Sequence, residues 1–197
     1  MHAADAEGGR PGSARTIVIT GPSGVGKGTL IRLLRERLPE LALSVSATTR
    51  GRRPGEVDGV DYHFLSEEEF DRRVARGDFV EWAEYAGRRY GTLREELERH
   101  AAAGRPVVLE IEVKGARQVR AAVPESVQIF IRPPSMEALR NRLLGRGTDD
   151  REQIERRLKA AEEELEAIDE FPYVIVNDDL DKAVDELERI VRDTLDT

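Results

Sequence analysis

No cysteine occurs in the 197 residues, which excludes disulfides, thiol nucleophiles and cysteine-ligated zinc. Histidine is almost as scarce, and His2, His63 and His100 stand too far apart to suggest a metal cluster. Long apolar runs are also missing. Ile17–Ile19 and Val107–Leu109 are among the longest, far short of the roughly 20 residues that span a bilayer. Nothing near the start resembles a secretory signal, and Met1–Ala14, rich in Ala, Gly, Arg and acids, reads as a disordered extension. Positive charge is in deficit: 31 Lys+Arg against 39 Asp+Glu give a net charge of −8. That is the wrong sign for a general nucleic-acid binder, although a few local arginines suffice for a small phosphate site. These absences predict a cytoplasmic protein with small-molecule partners, no nucleic acid and no membrane. Its length suits one domain, or one core carrying a small insert.

Short β-type runs alternate with helical patterns. Thr16–Thr20, Val107–Glu112, Val127–Ile131 and Tyr173–Val176 read as buried strands, with helical stretches such as Thr29–Leu38 between them. This alternation predicts an α/β fold with a parallel sheet covered by helices on both faces. Ser66 with Glu69 and Asp150 with Gln153 fit capping boxes, and Ser135 follows a proline stop as an N-cap. Leu180, Val184, Leu187, Val191 and Leu195 form the apolar stripe of a last helix, capped from among Asp178, Asp179 and Asp181. Between Ser44 and Thr92 the pattern breaks into glycine, arginine and aromatic punctuation around one short helix, Glu67–Ala75, as in a small α+β insert. His63 reads as a packing residue, and Glu162–Glu164 as a solvated helix face.

Directly after the first strand stands Gly21-Pro22-Ser23-Gly24-Val25-Gly26-Lys27, and a helix follows at once. Glycines let the backbone turn tightly and aim N–H groups at anionic oxygens. The helix start adds its positive dipole end, and Lys27 a mobile charge. This is a phosphate cradle for an NTP. Gly28 stands where Ser or Thr usually holds magnesium, which leaves Thr29, or water, for the metal. Arg50, Arg52 and Arg53 crowd a second loop, which reads either as a solvated basic turn or as a second phosphate site. Tyr62 and Tyr90 offer phenolic donors, Ser46 and Thr92 hydroxyls, and Glu81 a carboxylate. A carboxylate can take both adjacent donors of guanine, so a guanine acceptor is one possibility at this point. Arg142 and Arg146 share a helix face, Gly145 and Gly147 allow a hinge, and Arg157 comes from the next helix. Arginines on a closing lid suit phosphoryl transfer, where positioning and charge neutralisation dominate.

GPSGVGKGTL, SATTRGRRPGEVDGVDYHF, EWAEYAGRRYGT, EIEVKGARQV and RGT followed by RRL, in this order, resemble the guanylate kinase family of the nucleoside monophosphate kinases. The resemblance covers about residues 15 to 195. It implies a P-loop kinase core (15–43, 93–140, 158–197), a GMP-binding insert (44–92) and a short helical lid (141–157). It implies ATP + GMP ⇌ ADP + GDP, with magnesium and with dGMP as a further acceptor. By motif position, Arg50, Arg53, Tyr62 and Tyr90 would take the GMP phosphate, Ser46, Glu81 and Thr92 would face the base, and Glu56, Glu110 and Glu112 would complete the GMP site. Lys27, Arg142, Arg146 and Arg157 would stabilise the transferred group, and Asn177 would lie near the adenine of ATP. Glu110 and Glu112 stand where many members carry Asp. A kinase for another phosphorylated acceptor, such as ribose bisphosphate, should lack the base-facing set, and a non-catalytic binding module should have an eroded phosphate loop.

Overall fold

Ile17 and Ile19 alternate with Val18 along a strand that is buried over its whole length, so the chain needs cover on both sides of it. A computed structural model, describing residues 15–85, 87–145 and 150–196, shows how that cover is supplied. The extension expected over Met1–Ala14 lies outside the described residues. Strand β1 (Thr16–Thr20) leads into α1 (Lys27–Arg37) and β2 (Ala42–Leu43). An insert follows, with β3 (Ala47–Thr48), β4 (His63–Phe64), α2 (Glu67–Arg76), β5 (Phe79–Tyr85) and β6 (Arg88–Leu93). The chain then runs through α3 (Arg94–Ala102), β7 (Val107–Glu110), α4 (Val113–Ala122), β8 (Val127–Arg132), α5 (Met136–Gly145), α6 (Arg151–Leu165), β9 (Tyr173–Val176) and α7 (Leu180–Leu195).

The five-stranded sheet has the order β2-β7-β1-β8-β9, and every pairing in it is parallel. Ile17, Ile19, Ile129, Ile131 and Ile175 point to one face, where Leu30, Ile31 and Leu34 of α1 and Val184, Leu187 and Val191 of α7 pack. Val18, Val107, Leu109 and Phe130 point to the other, beneath Val113, Ala116 and Val119 of α4 and Phe171. The crossovers from β1 and from β7 therefore leave on opposite faces. A crevice opens between their carboxyl ends, which is where ligands bind in open α/β sheets.

The insert is a four-stranded sheet, β4-β3-β6-β5, closed by α2 over Ala47, Phe70, Phe79 and Leu93. The Phe70 and Phe79 rings stack at 4.5 Å. Phe79 stands opposite Leu93 and Glu81 opposite Thr92, so Val80 is an extra residue in β5. Val80 turns into the core cluster under α4 while Phe79 stays with the insert. The join to the main sheet is tied by buried Glu96 of α3, which accepts from the Val45 N–H at 3.2 Å and from Arg99 at 2.7 Å. His63, expected to pack, is half-buried with Nε2 3.8 Å from the same carboxylate.

Several expected details change. Tyr173–Val176, expected to be a buried strand, forms the edge strand β9, where only Ile175 is buried because among the described residues no further strand covers its outer side. The strand expected to reach Glu112 stops at Glu110, where its ladder with β1 ends, and Glu112 becomes the N-cap residue of α4. Helix α1 begins at Lys27, two residues before the expected start. The Ser66 box is half formed: Oγ accepts from Glu69 N, but the Glu69 carboxylate turns to Arg72 and Arg73. The Asp150–Gln153 box closes in both directions, Ser135 Oγ accepts from Ala138 N, and Asp179 caps α7. Leu180 is exposed, and Ala183 and Ile190 widen the buried stripe instead, because a core-facing helix presents a broader band than every fourth residue. Glu162 and Glu163 are solvated as expected, but Glu164 turns inward.

Candidate active site

The loop after β1 passes so close to β8 that a methyl group on Gly21 would lie 2.1 Å from the Ile131 carbonyl oxygen. Only glycine fits there, at a φ of 134°. The loop ends at Gly26, whose left-handed backbone starts α1 without any side-chain cap, so the first N–H groups of the helix are left for another acceptor. Lys27 Nζ curls back to donate to the carbonyls of Gly21 and, at 3.2 Å, Pro22. The Asn177 side chain, buried after β9, donates to the Val25 carbonyl at 2.8 Å. Arg142 of α5 donates to the same carbonyl at 3.1 Å and to the Asn177 carbonyl at 2.7 Å. Both residues brace the loop from behind. Arg157 of α6 donates to Ser23 Oγ at 2.7 Å. Arg146 and Gly147 lie outside the described residues.

In front of the loop is a cavity of about 570 Å³, between the carboxyl ends of β1 and β7 and the insert. Ser23, Lys27 and Arg157 line one end, Arg50, Arg53, Glu56, Tyr62 and Tyr90 another, and Ser46, Glu81, Glu110 and Glu112 the remaining wall. The sequence-predicted groups for two phosphates and a base thus meet in one space. Gly28 and Thr29 are exposed on the first turn of α1 and do not line it.

The arginine loop organises itself around a carboxylate. Glu56 accepts from both terminal nitrogens of Arg50, at 3.0 and 2.7 Å, and from the Arg53 N–H at 2.7 Å. This fork pairing offsets the repulsion between the guanidiniums and holds Glu56 below the usual carboxylate range. The Arg50 guanidinium lies 5.2 Å from the Tyr62 ring centre, and Tyr62 meets Tyr90 edge to face at 6.1 Å. Burial pushes the Tyr62 hydroxyl up, so it stays a donor at neutral pH. Arg52 turns aside to the Glu56 carbonyl.

Glu81 is only 4% exposed and accepts from Thr92 Oγ1 at 2.8 Å. The pairing depends on the extra residue in β5: in an unbroken ladder Val80 would face Thr92. Thr92 itself is fully buried behind Glu81, off the cavity wall. Loss of water pushes the Glu81 carboxyl up to about 7, against the Thr92 hydrogen bonds and with some repulsion from Glu112. The carboxylates of Glu110 and Glu112 are likewise pushed up by desolvation, with Lys27 pulling against it.

Ser44 and Gly115 on the cavity wall, and Glu164 within reach of the Lys27 charge, escaped the sequence reading. Ser44 Oγ is buried without a hydrogen-bond partner at the cavity, and its spacing of two from Ser46 in an extended segment was the available signal. Gly115 of α4 lines the wall near Glu81. Glu164 of α6, expected on a solvated face, has a buried Oε2 with no partner. Burial and Glu112 raise it to about 7 while the Lys27 charge pulls it down. Nothing in a run of three glutamates marks which one turns inward.

Among the described residues no helix is long and apolar enough to cross a membrane. The sequence model described as guanylate kinase matches residues 13–194. A guanylate kinase of Synechococcus sp. (strain CC9311) is 60% identical over 176 residues, covering 89% of this chain and 93% of that relative. One from Thermosynechococcus vestitus is 57% identical over 181 residues, covering 92% and 95%. Among solved structures, guanylate kinase from Anaplasma phagocytophilum superposes with a TM-score of 0.71 at 35% identity, over 91% of this chain and 85% of the other. Shikimate kinase from Bacteroides thetaiotaomicron, at 14% identity and a TM-score of 0.50, shares the fold alone. With matching sequence over nearly its whole length, a phosphate loop at the crevice and relatives more than half identical to it, the chain belongs to the guanylate kinase family.

Proposed function

We propose that the chain transfers the γ-phosphoryl group of ATP to GMP, and to dGMP, giving ADP and GDP or dGDP. The observation that carries this reading is the single cavity that joins Lys27 and Arg157 at the phosphate loop to the Arg50–Tyr62–Tyr90 cluster and the Glu81–Thr92 pair. Residues 44–92 act as the acceptor-binding insert, 141–157 as the lid, and 15–43, 93–140 and 158–197 as the core. A cytoplasmic location accords with a cysteine-free chain that consumes ATP.

Gly21 to Lys27 receive the ATP phosphates on backbone N–H groups, with Gly28 and Thr29 continuing the helix start and Asn177 fixing the loop. Arg50, Arg53, Tyr62 and Tyr90 hold the acceptor phosphate, with Glu56 keeping the two arginines in place. Ser46 and the Glu81–Thr92 pair face the base. An acceptor phosphate oxygen attacks the γ-phosphorus as the bond to the ADP oxygen breaks. The nucleophile is already anionic near neutral pH, so the protein needs no general base; Lys27, Arg146 and Arg157 position and neutralise the moving group, and Arg142 braces the loop that holds it.

Magnesium fits the donor set in one respect. Glu110, Glu112 and Glu164 supply hard oxygen atoms around Lys27. Among the described residues no three acidic or histidine groups converge into a metal site of their own. The ion would therefore be shared with the ATP phosphates, as its preference for few protein ligands favours. Glu110, whose oxygens lie 3.6 and 3.7 Å from where a Gly28 methyl would sit, is the nearest carboxylate to the position without a hydroxyl. Thr29, exposed on α1, would act through water. When bound, magnesium offsets the charge of the phosphates.

The test is a coupled ADP-release assay with Mg-ATP and GMP, dGMP, AMP, CMP, UMP or dTMP. Turnover confined to the two guanine nucleotides supports the proposal. Binding of GMP without turnover would make the chain a binding module, and equal turnover across the bases would remove the role given to Glu81.

A further inference from the structure

Gly115 is the third residue of α4 and has an ordinary helical backbone, so nothing in its own conformation calls for glycine. Inside a helix, alanine is the more stabilising choice. A methyl group at this position would meet one obstacle. It would lie 2.6 Å from Glu81 Oε2 and 3.2 Å from Glu81 Cδ, while its next neighbour, Ile111 Cβ, is at an ordinary 3.5 Å.

The shift would fall on the carboxylate, at the far end of a flexible side chain, and not on the helix. The other oxygen of Glu81 accepts the Thr92 hydroxyl at 2.8 Å, and the side chain is buried. Helix α4 is clamped to β5 one turn further on, where Gln118 Nε2 donates to the Trp82 carbonyl at 2.9 Å and Gln118 Oε1 accepts the Trp82 N–H at 3.2 Å. Gly115 and Gln118 share a helix face, so the contact that fixes the distance between helix and strand stands beside the one that uses it.

We infer that Gly115 is a specificity-determining position, whose missing side chain gives the Glu81 carboxylate the place from which it reads the base of the acceptor. The inference rests on the proposed role of Glu81. A displaced carboxylate loses first the donor that depends most on its placement. GMP presents N1–H and a 2-amino group, and IMP only N1–H, so the ratio of the two acceptors measures the placement.

The experiment compares kcat/KM for GMP and IMP, with Mg-ATP, in the full-length protein, Gly115→Ala, Glu81→Gln and the double variant. Gly115→Ala is expected to lower the GMP-over-IMP ratio about tenfold, with KM for ATP unchanged. The double variant is expected to show no lower ratio than Glu81→Gln alone, since both changes act through one group. An unchanged ratio in Gly115→Ala, or equal losses for GMP and IMP with a raised KM for ATP, would overturn the inference. If Glu81→Gln leaves the ratio untouched, the reading of Glu81 fails, and the role of Gly115 falls with it. Should Gly115→Ala not fold, Glu81→Asp combined with it must restore folding, because the shorter acid leaves room for the methyl; failure to do so would also overturn the inference.

Discussion

The recognition of guanine proposed for Glu81 should depend on pH in a way that can be worked out from its surroundings. In the free site the carboxyl is buried, faced by Thr92, Gly115 and the charge of Glu112, and desolvation raises it to about 7. Guanine offers two N–H donors, which only the ionised form can accept together, so binding favours the carboxylate. At pH 6 about one molecule in ten has Glu81 ionised, and at pH 8 about nine in ten, so affinity for GMP should rise roughly tenfold, or about 1.4 kcal/mol, over that interval. The acceptor phosphate, with a second pKa near 6, contributes in the same direction. Glu81→Gln keeps the phosphate and removes the carboxyl, so the ratio of the two proteins isolates the effect. Calorimetric titration with GMP at pH 6, 7 and 8, in buffers of different ionisation enthalpy, would read affinity and proton release together. The native protein should release nearly one proton more than the variant at pH 6, and no more at pH 8. Identical pH dependence in the two proteins would refute the reasoning. Without ligand the sign is opposite: the raised pKa makes the contribution of Glu81 to stability fall as pH climbs from about 4.5 through 7.

Two further outcomes follow from the phosphate loop. Lys27→Met should cut turnover by at least about a hundredfold with the fold retained, because the lysine head stands at the phosphate loop, where it donates to the Gly21 and Pro22 carbonyls; undiminished turnover would remove Lys27 from the transfer step. Glu164→Gln should raise the stability of the ligand-free protein at pH 8 by about 1–2 kcal/mol after allowance for partial solvent access, and by almost nothing at pH 4, where the native carboxyl is mostly protonated in both states. Thermal unfolding at the two pH values reads this directly, and an equal change at both would contradict the raised pKa.

Much of this architecture could be read from residue order. TIVIT, VQIFI and YVIV are strands because β-branched runs bounded by turns have few other fates, and two of the three match their predicted bounds residue for residue, although YVIV lies at the sheet edge and buries only Ile175. The glycines and Lys27 announced the loop. The two-residue strands β2, β3 and β4 carry too little sequence for any period to show, and their pairing is decided by neighbours distant in the chain. Side chains proved harder than backbone. Arg142 and Asn177 stood out in the sequence, but that both spend donors on the Val25 carbonyl could not be read from spacing. Glu164 was misjudged because its inward turn is set by how α6 packs, with Ile154, Leu158 and Ala161 facing the cluster shared with α5. Gly115 has no side chain to draw notice, and its importance lies in what its neighbour needs.

With the role proposed for Glu81, the extra residue at Val80 makes acceptor choice a matter of counting as well as of chemistry. Strand β5 must bury Phe79 opposite Leu93 and also present Glu81 opposite Thr92, and it satisfies both only by being one residue longer there than its partner. Substitutions along the strand can be judged one at a time by fit and polarity. A gain or loss of one residue in the hairpin between these pairs would change the partner of every later position at once. Mutational drift can therefore tune this site by exchange of side chains, whereas small insertions and deletions, which a surface turn absorbs easily, would tend to erase its choice of nucleotide in one step.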